Sequence, residues 1–163
     1  MVGVSFSTRP LDLADLDAIE AIERASYPTP WSRPMFVSEL AKPRSPSIAA
    51  VAPDGTLAGY LILSRYVDEW HVMNLAVGVA YRRRGIASAM LERLFEVTRD
   101  DVERGYTLEV RVSNLGAISL YEGFGFVRRG VRRSYYIDNR EDALIMWKDA
   151  GGQEGAGTTE LSG

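Results

Sequence analysis

Arg82, Arg83 and Arg84 stand directly before Gly85 in the stretch RRRGIASAML, where the spacing of Ile86, Met90, Leu94 and Val97 predicts that a helix begins. A helix start already presents unpaired backbone N–H groups and the positive end of the helix dipole, so cations are ordinarily favoured at the other end. Positive charge concentrated here fits an anion held by the first-turn amides, with the glycine letting it approach the backbone unhindered. Several amides and flanking guanidinium groups, each contributing about 0.3 to 1 kcal/mol, could hold a diphosphate. The spacing has neither the P-loop lysine nor the GxGxxG glycines, so neither ordinary nucleotide motif applies. By themselves the same residues also describe a solvated basic corner.

Groups able to move a proton are few. The chain has one histidine, His71, and no cysteine, which excludes a multi-histidine metal site, thiolate zinc, disulfides and a cysteine nucleophile. No metal is expected. In YTLEVRV, Leu108, Val110 and Val112 face one way and Thr107, Glu109 and Arg111 the other, so Arg111 reads as the surface ion-pair partner of Glu109. Tyr121 lies beyond the strand end and about two helical turns further on, so strand and following helix can bring both side chains to one cleft. Each has a plain alternative: a solvent-facing glutamate, a core tyrosine beside GFGF, a satisfied histidine on a central strand.

The elements around them follow from local signals. After the opening strand VSFSTR, Asp12 caps a helix whose Leu16, Ile19, Ile22 and Ala25 form an apolar stripe. YPTPWSRP interrupts it, Ser32 caps a second short helix carrying Met35, Phe36 and Leu40, and KPRSP stops that. SIAAVA and LAGYLILSRYV flank the turn PDGT as a hairpin, and EWHVMNLAV reads as a central strand. A long helix runs from about Gly85 to Asp101, and Gly105 ends the connection to YTLEVRV. Asn114 caps a short helix through Tyr121, terminated by GFGF; the strands VRRGVRRSYYI and ALIMWK surround DNRED. The order predicts a mixed α/β fold with helices on both faces, unlike a Rossmann fold. One domain over 1–149 is expected, with residues 150–163 a flexible glycine-rich tail.

No apolar run is long enough to span a membrane, and the N-terminus lacks the order of a secretion signal, so a cytoplasmic protein is expected. A net charge of −3 argues against a dedicated nucleic-acid binder. A monomer without nucleic-acid or membrane partners is the expectation.

NLAV followed by a loop, RRRGIA opening a helix, and LEVRVSNLGAISLYEGFGF beyond it together resemble the GNAT superfamily of acetyl-CoA-dependent N-acetyltransferases. The resemblance covers Ser5 to Lys148 and is most specific from Asn74 to Phe126. PWS, LEVRVSN, and RRSYY followed by REDALIM are similar to the RimI family, which acetylates the N-terminal alanine of a small-subunit ribosomal protein. The resemblance implies a central mixed, mostly antiparallel sheet of about seven strands, splayed between the fourth and fifth. It further implies acetyl-CoA as co-substrate. Leu75, Ala76 and Val77 would form the splayed edge, with the Val77 N–H polarising the thioester carbonyl. Amides from Arg83 through Arg84, Gly85, Ile86 and Ala87 to Ser88 would cradle the diphosphate, and Asn114 would contact the pantetheine arm. Glu109 resembles the family's general base and Tyr121 its general acid. Where the family usually has AVDP, this chain has Gly78 and then Val79 and Ala80.

HVMNLAV is also similar to related N-terminal acetyltransferases in which a histidine handles the proton through water, making His71 the alternative base. Tyr27, Trp31, Tyr135 and Tyr136 fall in segments that border the peptide groove in related enzymes, or form a hydrophobic lid. Glu69 is a further substrate-side candidate, and Glu39, Asp68, Asp138, Glu141 and Asp142 could favour a basic peptide end. The run RRGVRR is an edge protected by charge or a ribosomal contact. The chemistry itself favours an N-terminus: an α-amine titrates about 2.5 units below lysine, roughly 3.5 kcal/mol less to deprotonate. A carboxylate is a weak base for this unless burial raises it, and it works through water. Transfer to a lysine or a small amine, and acetyl-CoA binding without catalysis, are the alternatives.

Overall fold

The strand and helix signals resolve into seven strands and four helices in the computed structural model, which describes residues 5–43 and 45–150. In chain order these are β1 (Ser7–Pro10), α1 (Leu16–Ser26), α2 (Arg33–Leu40), β2 (Ile48–Val51), β3 (Leu57–Tyr66) and β4 (Glu69–Val77), followed by α3 (Ile86–Thr98), β5 (Gly105–Arg111), α4 (Leu115–Gly123), β6 (Val127–Arg132) and β7 (Ala143–Asp149). The sheet order is β1-β2-β3-β4-β5-β7-β6. Pairs β1–β2, β2–β3, β5–β7 and β6–β7 are antiparallel, whereas β4 and β5 are parallel. Their register runs only from Glu69 opposite Gly105 to His71 opposite Thr107, and there the sheet splays.

The described chain forms two compact units. One runs to Ser64 and adds Met73–Thr98. Its core joins Leu16, Ile19, Phe36, Tyr60, Ile62 and Ala76. Asp12 caps a 3-10 turn, Leu13–Asp15, that leads into α1: it accepts a hydrogen bond from the Ala14 N–H at 2.7 Å, and Asp15 Oδ2 accepts one from the Asp12 N–H at 3.0 Å, whereas α1 itself begins without a side-chain cap. The apolar stripe differs from expectation, since Leu16, Ile19 and Glu23 are buried while Ala25 is exposed. Ser32 makes no side-chain cap; Pro34 in the first turn of α2 presets the helical backbone instead. Between β2 and β3 the Asp54-Gly55 turn forms as predicted, with Gly55 at φ +90°.

The other unit combines Arg65–Val72 with the described chain from Arg99 on. Tyr106, Leu108, Val110, Phe126, Leu144 and Met146 are buried in it. Gly105 ends the connection and is the first residue of β5, where an added Cβ would stand 2.2 Å from the Lys148 carbonyl oxygen. Val112 lies past the end of β5 and is exposed, and Val97 is exposed because it falls outside the buried face of α3, which runs through Met90, Leu91, Leu94 and Thr98. β6 stops at Arg132, shorter than the predicted VRRGVRRSYYI. Ser134 and Arg140 adopt left-handed φ of 47° and 63°, which turns the segment holding Tyr135 and Tyr136 into a loop. As an edge strand with a bulge between Arg128 and Gly130, β6 carries the charged protection expected of RRGVRR. The Ala150 N–H still bonds the Arg104 carbonyl at 3.1 Å; the remainder of the predicted tail lies outside the described residues. Among the described residues no helix is long and apolar enough to cross a membrane.

Candidate active site

In the first unit the chain leaves β4 through a single turn of 3-10 helix, Val79–Tyr81, closed by a Tyr81 N–H bond to the Gly78 carbonyl at 2.9 Å. Gly78 is itself tied back to β3 by its N–H bond to Ala58 at 2.8 Å. The segment without the usual aspartate is therefore fixed by its own backbone bonds. Arg82 is engaged within the protein: its Nε donates to the Val77 carbonyl at 3.0 Å and its Nη2 to Ser26 Oγ at 3.1 Å, tying the loop to β4 and α1. Arg83 and Arg84 are exposed. Arg83 and Gly85 both have left-handed backbones, at φ 63° and 78°, in the turn ahead of α3. A Cβ added at Gly85 would meet nothing within 4 Å, and the first turn of α3 holds no acidic residue. Open backbone, a helix start free of carboxylates and two exposed guanidinium groups suit a diphosphate.

At the splayed strand, Leu75 accepts a hydrogen bond at its carbonyl from the Tyr27 hydroxyl. Glu23, which the sequence reading missed, organises the rest of this region. It is only 2% exposed. Its Oε1 accepts from the Tyr60 hydroxyl and from Asn74 Nδ2 at 2.9 Å, and its Oε2 from the Trp31 backbone N–H at 2.9 Å. One buried carboxylate with three donors thus ties α1, β3, the NLAV strand and the YPTPW loop together. The visible sign was a glutamate on the buried stripe of α1. Trp31 packs on Phe36, with ring centroids 5.1 Å apart, and lines a cavity of about 310 Å³ with Pro34, Met35, Ser38, Glu39 and Met73.

In the second unit Glu109 stands at the centre of a separate cluster. Its Oε1 lies 3.5 Å from His71 Nε2, and its Oε2 accepts from Arg132 Nε at 2.7 Å. The hydrogen bond to His71 and then that to Arg132 outweigh burial and pull the carboxyl down to about 2. Burial, which alone would raise it, does not prevail. Nor is Arg111 its partner. That guanidinium bonds both oxygens of Asp138 at 3.0 Å, Glu141 Oε1 at 3.2 Å and Asn139 Oδ1 at 3.2 Å, and lies 4.0 Å from the Tyr136 ring centroid. Arg111 is the hub that fastens the loop between β6 and β7.

Most of the acidic groups expected to face a basic peptide have such internal partners. Asp138 and Glu141 hold Arg111, Asp142 accepts from the Ser134 N–H at 2.9 Å, and Asp68 and Glu69 each lie 3.9 Å from Arg104 Nη1. Glu69, at the far end of β4, is not drawn into the Glu109 cluster. Tyr135 and Tyr136 meet edge to face at 5.0 Å. Burial first, then the Glu109 carboxylate, pushes the Tyr135 phenol up; burial, then Tyr135, lifts Tyr136 to about 12. Tyr121 is 7% exposed and packs on Phe126 with centroids 5.7 Å apart. Burial, then Tyr136, lifts its phenol to about 12, so it keeps a proton to donate throughout the neutral range. Asn114 Oδ1 accepts from the Ala117 N–H at 3.2 Å and so caps α4.

A sequence model of the acetyltransferase (GNAT) family matches residues 16–126, which take in both the turn at Gly85 and the Glu109 strand. The chain belongs to the GNAT family. It is an acetyl-CoA-dependent N-acyltransferase. An Escherichia coli protein named [ribosomal protein bS18]-alanine N-acetyltransferase is 37% identical over 138 residues, covering 83% of this chain and 92% of its own. A Mycobacterium tuberculosis protein named N-alpha-acetyltransferase RimI is 38% identical over 126 residues, covering 75% and 77%. The crystal structure of the ribosomal-protein-S18-alanine N-acetyltransferase from Escherichia coli superposes with a TM-score of 0.82 at 34% identity, over 90% of this chain and 94% of that one. In this GNAT enzyme the open turn at Gly85 suits the diphosphate of its co-substrate.

Proposed function

We propose that this enzyme moves acetyl from acetyl-CoA to the α-amine of an N-terminal alanine, that of a small-subunit ribosomal protein in the cytoplasm. The observation that carries this reading is Glu109, held ionised between His71 and Arg132 beside the paired rings of Tyr135 and Tyr136. The names of relatives at 37% and 38% identity support the same substrate class. A single catalytic domain over 1–149 works as a monomer on a short unfolded peptide end, without nucleic acid or membrane.

Acetyl-CoA, when bound, supplies an activated acyl group with a thiolate leaving group. The amides from Arg83 to Ser88 hold its diphosphate and Asn114 its pantetheine arm. Leu75 and Ala76 form the strand edge beside it, and the Val77 N–H polarises the carbonyl under attack. The reaction is direct, with both substrates bound. Glu109 accepts the amine proton through water, with His71 as its hydrogen-bond partner. Tyr121, kept protonated by burial, gives its proton to the departing sulfur. Tyr27, Trp31, Tyr135 and Tyr136 hold the peptide backbone, and Glu69 stands on the substrate side. An α-amine suits this machinery because an ionised carboxylate is too weak a base for lysine.

Purified enzyme with acetyl-CoA and peptides of ribosomal N-termini provides the test. Peptides with a free alanine terminus release free thiol, and the same peptides with blocked termini do not. Equal rates for blocked, lysine-containing peptides would overturn the reading in favour of a side-chain amine.

A further inference from the structure

RRGVRR carries four arginines, and they do not share one task. Arg128 pairs with Glu122 at 3.0 Å and Arg129 lies over the Trp147 ring at 4.5 Å, as arginines guarding an edge strand would. Arg132 instead places Nε 2.7 Å from Glu109 Oε2, although its side chain remains 55% exposed. The Glu109 side chain is 16% exposed, and its other oxygen faces His71.

A lone carboxylate beside an incoming amine has two opposed effects. It can accept a proton, but its charge also favours the ammonium form, which cannot attack. An opposite charge within about 4 to 6 Å commonly raises an amine's proton affinity by one to three units. A guanidinium fixed on the same carboxylate cancels most of that field and also fixes which oxygen is left for the proton path. The other groups facing Glu109 do not supply a permanent positive charge. They are His71 from β4, and Tyr135 and Tyr136 from the loop after β6, while Ile145 opposes it in the register of β7. Among the described residues that contact Glu109, Arg132 is the one cationic at every working pH.

We propose that Arg132 is a positioning and charge-balancing residue for acetyl transfer, holding Glu109 Oε2 so that the bound α-amine stays neutral near pH 7. The inference rests on the reading that Glu109 serves the attacking amine. It is separable from that reading by experiment.

The pH profile of kcat, at saturating acetyl-CoA and peptide, is measured for the wild type, Arg132→Gln, Arg132→Lys and Glu109→Gln, with melting temperature as a check on folding. Arg132→Gln moves the acidic limb up by about one pH unit. Its deficit at pH 7 is about tenfold and closes at alkaline pH, while Arg132→Lys stays near the wild-type profile. A deficit in Arg132→Gln equal at every pH, or no deficit, would overturn the proposal and leave Arg132 an edge-strand charge. Near-normal turnover in Glu109→Gln would sink the parent reading instead.

Discussion

Glu109→Gln lowers kcat by about a hundredfold or more, and Tyr121→Phe does the same, while acetyl-CoA binds both variants normally. The glutamine keeps the volume of the side chain and loses the charge. The Arg132 guanidinium then faces a neutral amide, and His71 loses its anionic partner. Phenylalanine retains the packing of Tyr121 against Phe126 and deletes only the hydroxyl. Initial rates with a free N-terminal peptide, together with acetyl-CoA affinity by calorimetry, separate lost chemistry from lost binding. Turnover near the wild-type value in both variants would remove Glu109 and Tyr121 from the mechanism.

The direction of each perturbed group shapes the pH dependence. The Glu109 carboxyl sits at about 2, below its ordinary value, so its anionic form is favoured in the folded protein. That contribution to stability is complete above the unfolded carboxylate value and fades as pH falls toward 2. Glu109 is therefore ionised throughout any neutral assay. An acidic limb near neutrality reports loss of the neutral amine.

Ser88→Glu produces effects of opposite sign on stability and on binding. Ser88 is the third residue of α3, whose first turn has no carboxylate, and a negative charge there complements the helix dipole by about 0.3 to 1 kcal/mol. The melting temperature rises or holds. The same charge repels a diphosphate on the neighbouring amides. Two unit charges about 4 Å apart near a protein surface interact by roughly 4 kcal/mol before screening. After screening, acetyl-CoA affinity falls by about a hundredfold. A variant that is equally stable and binds acetyl-CoA like the wild type would show that the diphosphate lies elsewhere. Basic-corner arginines without a ligand role would give that result.

Much of the scaffold could be read from local chemistry. The Asp12 cap, the Asp54-Gly55 turn, the nine residues of β4 and the alternation in β5 each follow from side chains acting within a few positions. Partners across the sheet could not be read that way. Arg111 and Glu109 share a strand face, which in the sequence makes them natural partners, yet the β6–β7 loop brings Asp138 and Glu141 within bonding distance of Arg111 and takes it away. Arg132 reaches Glu109 because β7 alone separates β5 from β6, a topological fact invisible in the spacing of RRGVRR. A glutamate on a helix is ordinarily solvated, so the role of Glu23 does not show in the sequence. Only the convergence of Tyr60, Asn74 and Trp31 makes its burial tolerable. The loop carrying Tyr135 and Tyr136 read as strand because its aromatic residues favour strands, and left-handed turns at Ser134 and Arg140 override that preference.

The substrate claim is tested most directly by the intact masses of ribosomal proteins from cells with and without this gene. One small-subunit protein beginning with alanine is expected to be lighter by a single acetyl group when the gene is absent, and to regain it on complementation with the wild type but not with Glu109→Gln. Identical masses for every ribosomal protein in the two strains would contradict the account.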